Sequence, residues 1–264
     1  MAAHLTPGGG VSGPPAPPPV AADVGIVAAL SLEVGFLIDQ LASVRKYSGP
    51  KQAVIEGTCA GKLVVIVIAG PGRAAARRGA ELLLAGHRPR WLLSVGFGGA
   101  LDPALPRYAI VMPNEVLDRE GRRYAIDLAV PPAVGQAQPR IATGRLLTVD
   151  QIIVTAAEKA ELRRRYEADL VDMESSGVAA LCSERGVRFL AIRVISDEAG
   201  IDLPPEVVTL LTQTGSYRVG AALRALWKRP SRIKELWALH EHAQEAADRL
   251  AKFTVAALGR LPVS

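Results

Sequence analysis

The chain has 264 residues, and only 5% of them are aromatic, too few for a platform on which nucleic-acid bases stack. Cysteine is scarce too: Cys59 and Cys182 lie far apart and form no CxxC pair. That pattern signals neither a disulfide framework nor a zinc site, and it suits a reducing compartment. No apolar run reaches the ~18 uninterrupted residues of a membrane-spanning helix. The N-terminus lacks the basic-then-apolar order of a secretory signal. A cytoplasmic protein is the expectation. Charge is nearly balanced, with 31 Lys and Arg against 26 Asp and Glu, a formal net +5. So small an excess does not indicate nucleic-acid binding. His240-Glu241-His242 lacks the HExxH spacing of a metal helix and reads as a solvated face, so no metal is expected.

Hydrophobic residues, at 49%, are ample for a core, and the length allows one large α/β domain or two small ones. Residues 1–23 are rich in Pro and Gly and cannot bury enough apolar surface to offset the cost of ordering, which predicts a disordered tail. Residues 24–200 read as the main domain. Residues 201–264 read as a basic, helical extension packed on that domain or on a partner subunit, with amphipathic helices over 219–227 and 233–258. Trp227 and Trp237 sit there among basic residues, the composition of a face that meets a membrane surface or a greasy substrate.

Within the main domain, residues 24–29 form a short apolar run and 30–41 carry a helical apolar face, with Glu33 in the first turn. An acid there is also favourable to the helix dipole alone. Residues 53–59 and 62–69 read as paired strands. The second ends in Gly70-Pro71-Gly72-Arg73 before a helix reaching about residue 85. Glycines between strand and helix let backbone approach a ligand, and they equally make a plain turn. Residues 90–95 read as a strand ending in Gly96-Phe97-Gly98-Gly99-Ala100, a pocket floor or a tight bend. It is not a Walker loop, because the Gly-Lys-Ser/Thr ending is missing. Residues 109–116 and 145–149 read as further strands, 117–140 as a hairpin or loop over a crevice, and 156–166 as a helix.

Residues 168–200 organise the rest. They read as strand, helix, strand, with Gly186 stopping the helix, which predicts a βαβ unit with the two strands side by side or nearly so. Glu174 then lies just past the carboxyl end of one strand and Asp197 just past that of the next. In open parallel sheets that edge is where ligands bind. Two carboxylates facing one crevice suit glycosidic chemistry, one holding a sugar and one protonating a leaving group. A helix-capping acid and a loop acid are the plainer reading.

The order and spacing of VGIVAALSLEV with Glu33, AGPGRAAA, GFGGALDP, TVDQII, VDMES with Met173 and Glu174, and RVISD with Arg193, Ser196 and Asp197 resemble the nucleoside phosphorylase superfamily. Within it, they are most similar to the methylthioadenosine/S-adenosylhomocysteine nucleosidases. The likeness covers about residues 24–199. GGALDPAL and the Trp-containing basic extension also look like a narrower branch, the hopanoid-associated phosphorylases, with adenosylhopane as substrate. The resemblance implies a single three-layer α/β/α domain around a mixed, largely parallel twisted sheet. It implies cleavage of the N-glycosidic bond of a purine nucleoside, with adenine the expected base and the 5′ position modified. It implies a homo-oligomer, no metal or organic cofactor, and phosphate as co-substrate only for a phosphorylase.

The resemblance also implies roles. Asp197, held by Ser196, protonates the purine. Glu33 activates water, and Arg193 helps to position that nucleophile. Glu174 holds the ribose hydroxyls and Met173 packs on the sugar. Ile152 and Ile153 fall where backbone recognises the base, and Gly72, Phe97 and Gly98 complete the pocket. An acid near neutral pH needs a raised pKa, which a desolvated crevice beside a second carboxylate would provide. Three departures stand out. Phe97 replaces the small hydroxyl residue usual in nucleosidases. Ser94 stands where hexameric phosphorylases carry a phosphate-binding arginine, leaving Arg73 and Arg193 as other sources of charge. Leu30-Ser31-Leu32 replaces an acidic run. Hydrolysis is therefore expected over phosphorolysis, and a non-catalytic nucleoside binder is the rival.

Overall fold

The computed structural model describes residues 21–48, 52–126, 141–203 and 233–262, with side chains of the last segment described from residue 241. The readings for residues 1–20, for the loop over 127–140 and for the helix over 219–227 lie outside the described residues, as do the side chains of Trp227, Trp237 and His240. In chain order the elements are β1 (Val24–Ala28), α1 (Ser31–Ile38), β2 (Ala42–Ser48), β3 (Ala53–Cys59), β4 (Lys62–Ile68), α2 (Arg73–His87) and β5 (Trp91–Ala100). Then come β6 (Ile110–Val111), β7 (Glu115–Asp118), β8 (Arg123–Ala125), β9 (Ile141–Ala142), β10 (Arg145–Thr148) and α3 (Ala156–Tyr166). The last are β11 (Leu170–Asp172), α4 (Ser175–Arg185), β12 (Arg188–Asp197) and α5 (Ile233–Arg260).

The strands form one 12-stranded mixed sheet, ordered β2-β3-β4-β1-β5-β11-β10-β7-β8, with β12 also on β5 and β6 and β9 beyond it. Central strands β1 and β4 and the first half of β5 are largely apolar because both faces are covered. On one face Val34 and Leu37 of α1 meet Leu250, Ala251 and Leu258 of α5 over Ile26, Ile66 and Leu93. On the other, Ala76, Ala80 and Leu83 of α2 and Val178, Leu181 and Cys182 of α4 cover Val27, Val67 and Leu92. Each fully buried Leu, Ile or Val contributes roughly 1.5–3 kcal/mol of transfer free energy, so the sandwich is the dominant stabilising term. Helix α3 closes a third cluster through Leu162, against Leu147, Val149 and Val171.

The residues just ahead of β1 are tied to the domain. Ala22 is buried and its N–H donates to His87 O at 2.8 Å, while Asp23 Oδ2 accepts from Leu63 N at 2.9 Å. The strand–helix–strand order over 168–200 is present, with Gly186 in the left-handed region at φ +64 ending α4. Its two strands are not direct neighbours, however. Strand β12 runs parallel to β5, whereas β11 pairs antiparallel with the end of β5 at Leu170↔Ala100 and Val171↔Gly99. The glycine run is neither a bend nor a free floor. It continues β5 to Ala100, and its missing side chains allow the close approach of both partners. A Cβ on Gly98 would lie 3.2 Å from Val171 O, and one on Gly99 would lie 3.1 Å from Asp197 Oδ2. The stretch 109–116 is split into β6 and the start of β7.

Candidate active site

The glycine-rich end of β5 seats two of the three predicted acids, Glu33 and Asp197. Glu33 is buried in the first turn of α1. Its Oε2 accepts from Ala29 N at 3.0 Å and Leu30 N at 2.8 Å, the reach-back of an acid three residues into a helix. Its Oε1 accepts from Phe97 N on β5 at 2.9 Å, which no helix cap requires. Burial pushes the Glu33 carboxyl above its ordinary range, against the lowering effects of those N–H groups and of the Arg193 charge. Gly96 makes room for it, because a Cβ there would lie 2.6 Å from Glu33 Oε1.

Glu174 precedes α4. Its Oε1 accepts from Gly72 N at 2.8 Å and its Oε2 from Met173 N at 3.2 Å. Gly72 sits at φ +96, a left-handed geometry that favours glycine, and so aims its N–H at the acid from the start of α2. Desolvation raises the Glu174 carboxyl to about 8, helped by the neighbouring charges of Asp172 and Glu33 and opposed by Arg193 and the Gly72 N–H. Part of its surface stays open, so the group is accessible as well as desolvated.

Asp197 ends β12 beside Gly99. Ser196 Oγ lies 2.6 Å from Asp197 Oδ1 and 3.2 Å from Gly98 O. The one hydroxyl proton serves either acceptor, so a protonated Oδ1 can donate a hydrogen bond to Ser196 Oγ while that hydroxyl donates to the Gly98 carbonyl. The carboxylate that the sequence reading set beside Asp197 is not its nearest charge. Lys159 of α3 is, with Nζ 2.7 Å from Oδ2.

Arg193 is buried within a polar cluster. Its guanidinium donates to Asp172 Oδ2 at 2.6 and 3.1 Å, Ser94 Oγ at 2.7 Å, Ser175 Oγ at 2.9 Å, and the carbonyls of Ser94 and Ile192, each at 3.0 Å. Every N–H of the guanidinium has a protein acceptor, so it acts on Glu33 and Glu174 through its field. Asp172, assigned no role by the sequence reading, anchors this cluster and accepts Thr148 Oγ1 at 2.7 Å and Ser175 N at 2.9 Å. Arg73 is likewise engaged, bonding Glu120 at 2.6 Å with Asp118 and Asp150 each at 3.8 Å.

The remaining predicted residues divide. Met173 is half-buried against the α3 cluster, where Ile153 is a buried member, and Ile152 beside them is more open. Phe97 contributes its N–H to Glu33 while its ring packs on the main core. A cavity of about 610 Å³ lies toward the other end of β5, between Trp91, Cys182, Phe189 and Pro262. None of the three acids lines it, so size alone does not locate the chemistry. Lys159 and Asp172 were missed. Lys159 had a signal, being three residues before Leu162 on the buried face of α3.

A mixed sheet between helical layers, with acids gathered at a glycine-rich strand end, is matched by a family-wide comparison. Residues 23–258 fit the sequence model of the Phosphorylase superfamily, and the chain belongs to that family. The match runs well past the likeness seen in the sequence, into α5.

Among curated relatives, the chain is 29% identical over 197 residues to the 5'-methylthioadenosine/S-adenosylhomocysteine nucleosidase of Baumannia cicadellinicola, covering 67% of this chain and 86% of that one. It is 25% identical over 228 residues to the nucleosidase of the same name from Tolumonas auensis, covering 77% and 99%. Among solved structures, the Neisseria meningitidis nucleosidase in complex with methylthio-immucillin-A superposes with a TM-score of 0.71 at 19% identity, over 90% of this chain and 99% of that one. The Streptococcus pyogenes nucleosidase with 5-methylthiotubericidin gives 0.72 at 16% identity, over 92% and 98%.

Proposed function

We propose that this chain is an enzyme that hydrolyses the N-glycosidic bond of an adenine nucleoside with a modified 5′ position. The observation that carries the proposal is the seating of Glu33 against Gly96 and of Asp197 against Gly99 of β5, with Glu174 near enough to Glu33 for their charges to interact. In the transition state the sugar becomes cationic while a purine leaves. Stabilising it takes negative charge near the ribose, a proton for the base and a nucleophile on the opposite face. In this reading Asp197 gives a proton to the purine ring and the C1′–N9 bond breaks. Water attacks C1′ and Glu33 takes its proton. Glu174 binds the ribose hydroxyls, Met173 packs on the sugar, and backbone near Ile152 and Ile153 meets the base. Burial raises the Glu33 pKa, which makes the carboxylate a stronger base than a solvated one. No metal or organic cofactor enters these steps.

Water is favoured over phosphate by the engagement of the two available arginines. Arg193 is saturated by protein acceptors and Arg73 is bound by acids. The names and ligands of the relatives support adenine as the base, since they are nucleosidases of 5'-methylthioadenosine and S-adenosylhomocysteine. The 5′ substituent is the open variable, with adenosylhopane the finer candidate. Family likeness also supports a homo-oligomer in the cytoplasm, and the Trp-containing basic composition of the C-terminal extension supports a membrane-facing surface there. Among the described residues, no helix is long and apolar enough to cross a membrane.

The test is adenine release from methylthioadenosine, adenosine and a 5′-alkyl adenosine, each across a phosphate titration. The expected result is release independent of phosphate, with free 5′-modified ribose as co-product. Strict phosphate dependence with a ribose 1-phosphate product would make it a phosphorylase. Binding without release from any substrate would make it a nucleoside binder.

A further inference from the structure

Lys159 is completely buried on α3, and nothing in the catalytic scheme above uses it. Its ammonium has three partners: Asp197 Oδ2 at 2.7 Å, Glu198 O at 2.8 Å and Ile201 O at 3.0 Å. An ammonium has three protons, so the set is complete. A buried charge is tolerated only when paired and hydrogen-bonded, and lysine is among the residues least often found fully buried. Such a residue needs an explanation beyond packing.

Its place in the chain supplies one. Residues 150–154, which include Ile152 and Ile153, lead directly into α3. The start of that helix is fixed by Thr155 and Glu158, each accepting from the other's backbone N–H at 3.1 Å. The segment after Asp197 is fastened to the same helix start. Ala156 N donates to Asp202 Oδ1 at 2.7 Å, and Leu203 N donates to Val154 O at 2.8 Å. Lys159 is the third fastening, and the one that reaches the carboxyl itself. With Ser196 on Oδ1 and Lys159 on Oδ2, both oxygens of Asp197 are held from opposite sides.

We infer that Lys159 is a positioning residue for catalysis: its ammonium fixes Asp197 relative to the 150–154 segment, setting where the acid stands against the base. The inference rests on Asp197 being the proton donor. Orientation of this kind is steep, since a displacement of about 1 Å can cost about 100-fold in rate. The loss on removing Lys159 is bounded by what the acid is worth, about 10²–10⁴-fold.

The experiment is a mutant cycle on the full chain, with adenine release from methylthioadenosine as readout. Lys159→Met removes the ammonium at similar length. Lys159→Gln keeps N–H donors for the Glu198 and Ile201 carbonyls while removing the charge pair, and it decides the matter if the Met variant does not fold. The expected result for both is a fall in kcat of about 10- to 100-fold with KM within about threefold. Combined with Asp197→Asn, neither should lower kcat further, because residues that act as one unit are not additive. Wild-type kcat in a folded Lys159→Gln variant overturns the inference and leaves Lys159 a strut for the loop. Multiplicative losses in the double variant overturn it as well. If Asp197→Asn alone keeps full turnover, the proton-donor assignment fails first, and the two failures are told apart.

Discussion

Gly96→Ala adds one methyl group and tests how Glu33 is held. The new Cβ would lie 2.6 Å from Glu33 Oε1 and 3.1 Å from its carboxyl carbon, so the acid must withdraw by about 0.8 Å to reach ordinary contact. It is pinned by three backbone N–H groups at 2.8 to 3.0 Å and cannot retreat that far while keeping all three. Losing one hydrogen bond to a charged group costs roughly 1.5–3 kcal/mol. At about 2–4 °C per kcal/mol for a domain of this size, the melting temperature should fall by about 3–12 °C. A base displaced by most of an ångström should lower kcat by about 100-fold, with a smaller effect on KM. The assay is steady-state adenine release at saturating substrate, with thermal melts on the same preparation. A kcat within twofold of wild type would refute the assignment of Glu33 as the group that orients water. An unmoved melting temperature would refute the tight seat inferred for it.

Two further variants probe the acids and the charge cluster behind them. Glu174 has a folded pKa of about 8 against an ordinary 4.5, so between those values the unfolded chain releases its proton first and stability falls as pH rises. Denaturant midpoints should decline from pH 5 to 8 by up to roughly 1.4 kcal/mol per pH unit, and Glu174→Gln should flatten that decline; identical pH profiles would contradict it. Asp172→Ala strips Arg193 of its carboxylate and should cost about 3–5 kcal/mol in chemical denaturation, whereas a loss under 1 kcal/mol would mean that the buried pair is not what holds Arg193.

The sandwich was legible where burial writes a pattern. Strands β1 and β4 coincide closely with their apolar runs, because a two-sided core leaves little choice of residue, and β3 and α3 fall within the bounds read for them. Strand β2 was invisible for the opposite reason. Residues 42–47 are all exposed, so no alternation of apolar and polar residues marks that edge. The strands β11 and β12 are nearly side by side, with β5 between them, but their shared direction was misread: β11 runs antiparallel to β5 and β12 parallel to it, a non-local pairing that no spacing encodes.

At the candidate site, Glu33, Glu174 and Asp197 stood out because each lies at or just past the end of a strand. What they touch could not be read the same way. Arg193 looks like an active-site cation in RVISD, yet its partners Ser94, Asp172 and Ser175 come from three other segments. Lys159 looks like any helical lysine until α3 is folded against the 197–203 segment. A motif gives a side chain its address, and only tertiary packing gives it an electrostatic partner.

The central claim is that Asp197 supplies the proton with which a purine departs. Asparagine keeps the shape of that side chain and removes its acid. Adenine release from methylthioadenosine by Asp197→Asn, in protein that melts as the wild type does, should fall about 10²–10⁴-fold. Turnover at the wild-type rate would contradict it.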